Sequence, residues 1–157
     1  MPSPDKVMLE AIRLATENAA SGRGGPFAAI VVRDGEIVSR GVNSVTATND
    51  PTAHAEVVAI RRACQALRNF DLRGCELYAT CEPCPMCMGA IYWARLSQVY
   101  FGNTREDAAR AGFDDSLIYD EIAKPYGARQ ILMTVLLRDE ALASFQAWER
   151  TRNKVPY

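Results

Sequence analysis

Apolar positions recur at helical spacing near the start of the chain. Met8, Ile12, Ala15 and Ala19 form a stripe on a segment from about Asp5 to Ala20, and Gly22, Gly24 and Gly25 end it. The period then changes. Phe27 to Val32 is an unbroken apolar run of strand length, Asp34-Gly35 is a two-residue hairpin turn, and Glu36 to Val42 returns antiparallel beside the first strand. Asp50-Pro51-Thr52 supplies helix-start chemistry, with Val57, Ile60, Cys64 and Leu67 as the buried face of a helix reaching about Arg68. Cys75 to Thr80 predicts a third strand. A helix opened by Pro83 or Pro85 runs from there to about Arg95, and the β-rich segment Gln98 to Gly102 completes a βαβ step. Beyond it the pattern predicts short helices near Arg105 to Ala111 and Ser116 to Ala123, a strand from Gln130 to Leu137 and a last helix from Asp139. Strands alternating with helices imply an α/β fold of three layers (α/β/α) with a mixed sheet of about five strands, in one domain over residues 1–157.

Composition narrows the partners. A chain of 157 residues, 48% hydrophobic, suffices for one core and is short for two. Eighteen Lys and Arg against nineteen Asp and Glu leave a net charge of −1, so no broad positive field is available for a phosphate backbone, and a long nucleic-acid partner is disfavoured. The opening Met1-Pro2-Ser3-Pro4-Asp5 lacks a charged leader with an apolar core, and the longest largely apolar run, Met86 to Ala94, is far below the ~20 residues of a membrane span. A soluble cytoplasmic protein with no membrane partner is expected. Cys64, Cys75, Cys81, Cys84 and Cys87 are an odd set with three crowded into seven positions, which suits metal binding in a reducing compartment better than disulfides.

Two segments carry the chemistry: Pro51-Thr52-Ala53-His54-Ala55-Glu56 and Cys81-Glu82-Pro83-Cys84-Pro85-Met86-Cys87, each at the start of a helix. Cys84 and Cys87, three apart, share a helical face, and the positive helix end favours their thiolates. His54, the one histidine in the chain, is the third ligand of any N/S zinc site that needs an imidazole. One Zn²⁺ per chain is expected on His54, Cys84 and Cys87, with the fourth position left to water. Glu56 lies about 200° from His54 on an ideal helix, so the two converge only in an irregular first turn or through the longer Glu side chain. As chemistry the pair makes sense, because two thiolates and a neutral imidazole neutralise the dication and leave a nearby carboxylate to take the water's proton.

Taken singly, these residues have ordinary readings as a capped histidine, a structural or redox Cys-x-x-Cys and an acidic helix start. Together they make the His-x-Glu and Pro-Cys-x-x-Cys signature of the zinc deaminases. Two rivals use the same residues. His54, Cys81, Cys84 and Cys87 would close a structural Cys₃His module with no open position, and Cys-x₂-Cys-x₂-Cys suggests an iron-sulfur site until Ile91 occupies the next ligand position.

At these motifs the chain resembles the cytidine-deaminase superfamily over nearly its whole length. The two zinc segments are similar to those of both guanine deaminases and tRNA adenosine deaminases. Gly24-Gly25-Pro26-Phe27, Gly89-Ala90-Ile91-Tyr92-Trp93-Ala94-Arg95, Gly112-Phe113-Asp114-Asp115-Ser116 and Tyr157 resemble the bacterial guanine deaminases in particular. That resemblance implies a cytidine-deaminase-like fold, a small purine base as partner and hydrolysis of guanine to xanthine and ammonia. It also implies that Phe27 packs on the purine, Asn43 hydrogen-bonds it, Asp115 assists Glu56 near the amine, and Trp93 and Tyr157 complete the pocket wall. A homodimer that exchanges residues 139–157, so that the tail covers the neighbour's zinc pocket, follows from the same likeness. Guanosine deaminase and tRNA adenosine deaminase remain as alternatives on this framework.

Overall fold

The turn at Asp34-Gly35 places both residues at positive φ, 52° and 78°, and so folds β1 (Ala28–Arg33) antiparallel onto β2 (Glu36–Val42). In this computed structural model, which describes residues 3–157, β1 also pairs antiparallel with β3 (Cys75–Cys81), and β3 pairs parallel with β4 (Gln98–Asn103). The sheet order is β2-β1-β3-β4. Of the opening five residues read above, Met1 and Pro2 lie outside the described ones.

Alternation along β1 sets the layers. Ile30 and Val32 join Val7, Ala11 and Tyr78 under α1 (Pro4–Ala20), while Ala29 and Val31 face the helix α3 (Ala55–Leu67) with Ala59, Ala63, Leu77 and Ile91. Ile91 belongs to α4 (Pro85–Ala94), the crossover between the parallel strands. The three-layer α/β fold with a mixed sheet is thus present, with four strands. A four-residue helix α2 (Val45–Thr48), absent from the pattern reading, sits between β2 and α3.

Three segments differ from expectation for physical reasons. The buried face of α1 is Val7, Ala11, Ala15 and Asn18, whereas Ile12 and Ala19 are exposed. Small alanines let the helix approach the sheet, and the bulkier Ile12 turns outward. The helix α3 begins later than Asp50-Pro51-Thr52 suggests, because Asp50 Oδ1 accepts from both the N–H and the hydroxyl of Thr52 (2.8 and 2.6 Å) and closes a turn instead. Finally, Gln130 to Leu137 forms no strand.

The chain divides into two compact units, the first ending at Asp115 and the second spanning Ser116–Tyr157. The first closes with α5 (Arg105–Arg110), whose Thr104/Asp107 capping box fixes its start. The second holds α6 (Ser116–Ala123), a 3₁₀ turn and α7 (Arg138–Arg150), and contains no strand among its described residues. Its Gln130–Leu137 segment therefore has no ladder partner within the unit, and Ile131 and Leu132 are each 81% exposed.

Candidate metal centre and active site

His54 is the N-cap of α3, with extended backbone (φ −66°, ψ 153°) and no side-chain capping bond. Cys84 is the N-cap of α4 in nearly the same conformation (φ −67°, ψ 169°), followed by Pro85 in the first helical turn. Neither side chain is spent on its helix end. They turn toward each other: His54 Nδ1 lies 3.5 Å from Cys84 Sγ and 3.5 Å from Cys87 Sγ, and the three donor atoms all fall within 4.8 Å.

Those separations fit zinc. A tetrahedral ion with nitrogen at ~2.0–2.1 Å and sulfur at ~2.3 Å holds the two donors about 3.5 Å apart. The electrostatics call for the same occupant. Cys84 is drawn down to about 4, chiefly because it accepts from the Cys87 thiol and also from His54. Cys87, fully buried, is pushed far up by that neighbouring sulfur and by burial. Adjacent thiols resist double ionisation without a cation; a dication stabilises both thiolates at once.

The placement of His54 outside the helix also resolves the spacing of Glu56. Because the histidine is extended and the glutamate lies in the first turn, the helical angle between them does not apply. Glu56 is only 8% exposed, and its carboxylate accepts from its own backbone N–H and from Cys87. Burial raises its affinity for a proton above the usual carboxylate range.

Two of the expected base-binding residues, Phe27 and Asn43, meet on one loop pair. Phe27, half-buried just before β1, meets Phe113 edge-to-face with ring centroids 4.9 Å apart. Its carbonyl accepts from Asn43 N–H at 3.0 Å, so strand pairing continues into both residues. Asn43 Oδ1 accepts from the N–H groups of Gly25 and Val45, each at 3.3 Å. With the oxygen so engaged, the amide offers a ligand its N–H donors rather than the donor-and-acceptor pair an unconstrained Asn would present. Asp115 is half-buried, and burial followed by the nearby Cys84 charge raises its pKa. Trp93 is 67% exposed in the last turn of α4, about 9 Å along the axis from Cys87. Tyr157, 73% exposed, belongs to the second unit.

Cys81 takes another direction. Its thiol donates to Thr104 O at 3.7 Å, burial pushes it up to about 11, and it stands outside the His54, Cys84, Cys87 group. The closed Cys₃His shell thus lacks its fourth donor. Two residues that pattern reading left unassigned organise the surroundings. Glu82 donates its N–H to Asn103 O (2.8 Å) and accepts Arg105 N–H (3.0 Å), tying the cysteine loop to the start of α5. Asn18 bonds the Gly25 and Asn43 loops, and its one sequence signal was a polar side chain beside an apolar helical stripe.

A profile described as the cytidine and deoxycytidylate deaminase zinc-binding region matches residues 1–103. Guanine deaminase of Bacillus subtilis is 53% identical over 147 residues, 94% of each chain. The crystal structure of guanine deaminase from Bacillus subtilis superposes with a TM-score of 0.97 at 50% identity, covering 99% of both chains. A tRNA-specific adenosine deaminase of Aquifex aeolicus is 51% identical over 76 residues, 48% of this chain and 50% of that one. The likeness to it is confined to about half of each molecule.

Proposed function

The chain belongs to the cytidine and deoxycytidylate deaminase family, and from that membership we infer a zinc-dependent hydrolytic deaminase converting guanine to xanthine and ammonia. The observation that carries the reading is the 3.5 Å convergence of two helix-start cysteines on His54 Nδ1, beside a buried Glu56, in a chain matched end to end by a guanine deaminase.

His54, Cys84 and Cys87 would hold the zinc, which would supply a Lewis acid to a water. Glu56 takes the first proton of that water as oxygen adds to C2 of guanine, and passes it to ring N3. The second water proton moves to the 2-amino group, with Asp115 assisting. The C–N bond breaks, ammonia departs, and the oxygen remains as the new carbonyl. Phe27 offers an aromatic face to the flat base, and Asn43 donates from its amide to a ring acceptor. Trp93 walls the pocket, and Tyr157 belongs to the tail that covers a neighbour's.

We place the activity in the cytoplasm and in purine metabolism. All five cysteines are free, which supports a reducing compartment, and no helix among the described residues is long and apolar enough to cross a membrane. The working form is a homodimer whose residues 139–157 are exchanged so that the tail covers the neighbour's pocket. Support comes from the second unit, where Ile131, Leu132, Leu136 and Phe145 are exposed apolar side chains. Removing residues 151–157 is therefore expected to lower activity by about an order of magnitude or more, the loss of one well-placed contact, while zinc content stays near one per chain. Undiminished activity, or a monomer in solution, would remove the lid and the exchange respectively.

Ammonia release from guanine, guanosine, cytosine, cytidine, adenine and a tRNA substrate tests the substrate. Guanine is expected to exceed every other by a wide margin. A preference for guanosine would mean a pocket that admits ribose, and turnover of the tRNA would transfer the reading to the adenosine branch.

A further inference from the structure

We propose that Asn18, in α1, is a positioning residue for base recognition: it fixes the Asn43 and Phe27 loops against each other and thereby sets the affinity for guanine. This rests on the reading that Asn43 and Phe27 contact the base.

Asn18 occupies the last position of the buried face of α1 and is 5% exposed, where an apolar side chain would ordinarily sit. Its Nδ2 donates to Gly25 O and to Asn43 O, each at 2.9 Å, linking two loops that are 18 residues apart in sequence. The same atoms take part in a closed circuit. Gly25 O also accepts Phe27 N–H at 2.8 Å, Phe27 O accepts Asn43 N–H at 3.0 Å, and Asn43 Oδ1 accepts Gly25 N–H at 3.3 Å. One amide group thus holds the backbone of Asn43 directly and that of Phe27 through Gly25 O.

The glycines show how closely the circuit is drawn. A Cβ on Gly24 would stand 2.1 Å from Asn43 O and 2.8 Å from Asn18 Nδ2, so no side chain fits there. On Gly25 it would stand 3.2 Å from the Phe27 ring and 3.6 Å from Asn43 Cγ. The loop lies against both recognition groups, and a shift of its carbonyl would carry the Asn43 amide with it. Asn18 belongs to no part of the metal group, so losing it should spare zinc and the acid–base step.

The test uses the zinc-loaded, full-length protein and compares guanine kinetics, zinc content and thermal midpoint for the wild type, N18A, N18S, G24A, N43A and the N18A/N43A pair. N18A is expected to raise KM for guanine roughly tenfold, with kcat changed less than about threefold and zinc retained, because a binding contact rather than a transition-state contact is disturbed. N18S, with a single hydroxyl donor, should fall between, and G24A should reproduce the KM increase without removing any polar group. In the N43A background, N18A should add less than about twofold, since both act through one contact. If N18A yields no folded protein, N18S carries the test. Unchanged KM in the folded Asn18 and Gly24 variants beside a raised KM in N43A overturns the positioning role alone, as does full additivity. Unchanged KM in N43A overturns the base-recognition reading and this inference with it.

Discussion

Replacing Glu56 by Gln is expected to leave zinc and fold in place and to lower turnover by ~10²- to 10⁴-fold, the ordinary worth of a positioned acid–base group. The amide has the same shape, so the buried site beside Cys87 stays filled. What it lacks is a site for the proton that must travel from water to the purine. Burial raises the Glu56 carboxyl above its ordinary value, a shift in the direction that favours taking up a proton. Asp115→Asn should be milder and should keep substrate binding, because that carboxylate is less deeply buried and assists rather than carries the transfer. Zinc content by metal analysis and single-turnover rates on guanine read the two effects separately. Wild-type turnover in Glu56→Gln would remove the carboxylate from the mechanism.

The parts of this site that were legible in the sequence are those whose chemistry is rare. A single histidine, a Cys-x-x-Cys and a carboxylate two residues from the histidine have few joint uses, and each stood at a proline- or turn-marked helix start. The Asp34-Gly35 turn and the alternation of β1 were legible for a similar reason, since few backbones satisfy them. What escaped was geometry created by tertiary contact. The convergence of His54 and Glu56 depends on α3 starting at Ala55 rather than near Thr52, which is decided by Asp50 capturing Thr52 in a local turn. Asn18 reads as an ordinary helical polar residue until the Gly25 and Asn43 carbonyls arrive beneath it. The Gln130–Leu137 run has strand composition, yet a strand exists only where another backbone offers its hydrogen bonds, and its own unit offers none.

Cys84→Ser and Cys87→Ser are each expected to lose both zinc and detectable activity, whereas Cys81→Ser keeps about one zinc per chain and near wild-type turnover. Serine is nearly isosteric, so the contrast reports on the sulfur itself. A hydroxyl does not ionise near neutral pH and is a poor match for the soft, charge-neutralising donor that zinc meets in a thiolate. At Cys84 and Cys87 the sulfurs stand 3.5 Å from His54 Nδ1, and losing either leaves two protein ligands where a catalytic shell needs three. At Cys81 the thiol instead faces Thr104 O, a partner a serine hydroxyl can also serve, and burial keeps it protonated. The metal-free variants should remain folded, because the core of Ala29, Val31, Ala59, Leu77 and Ile91 closes between the sheet and its helices without any of the metal ligands. Metal analysis with circular dichroism therefore separates loss of zinc from loss of fold. Should Cys81→Ser release zinc as readily as the other two, the ion would be held by a closed shell of three thiolates and one imidazole. No position would then remain for water, and the hydrolytic reading would fall with it.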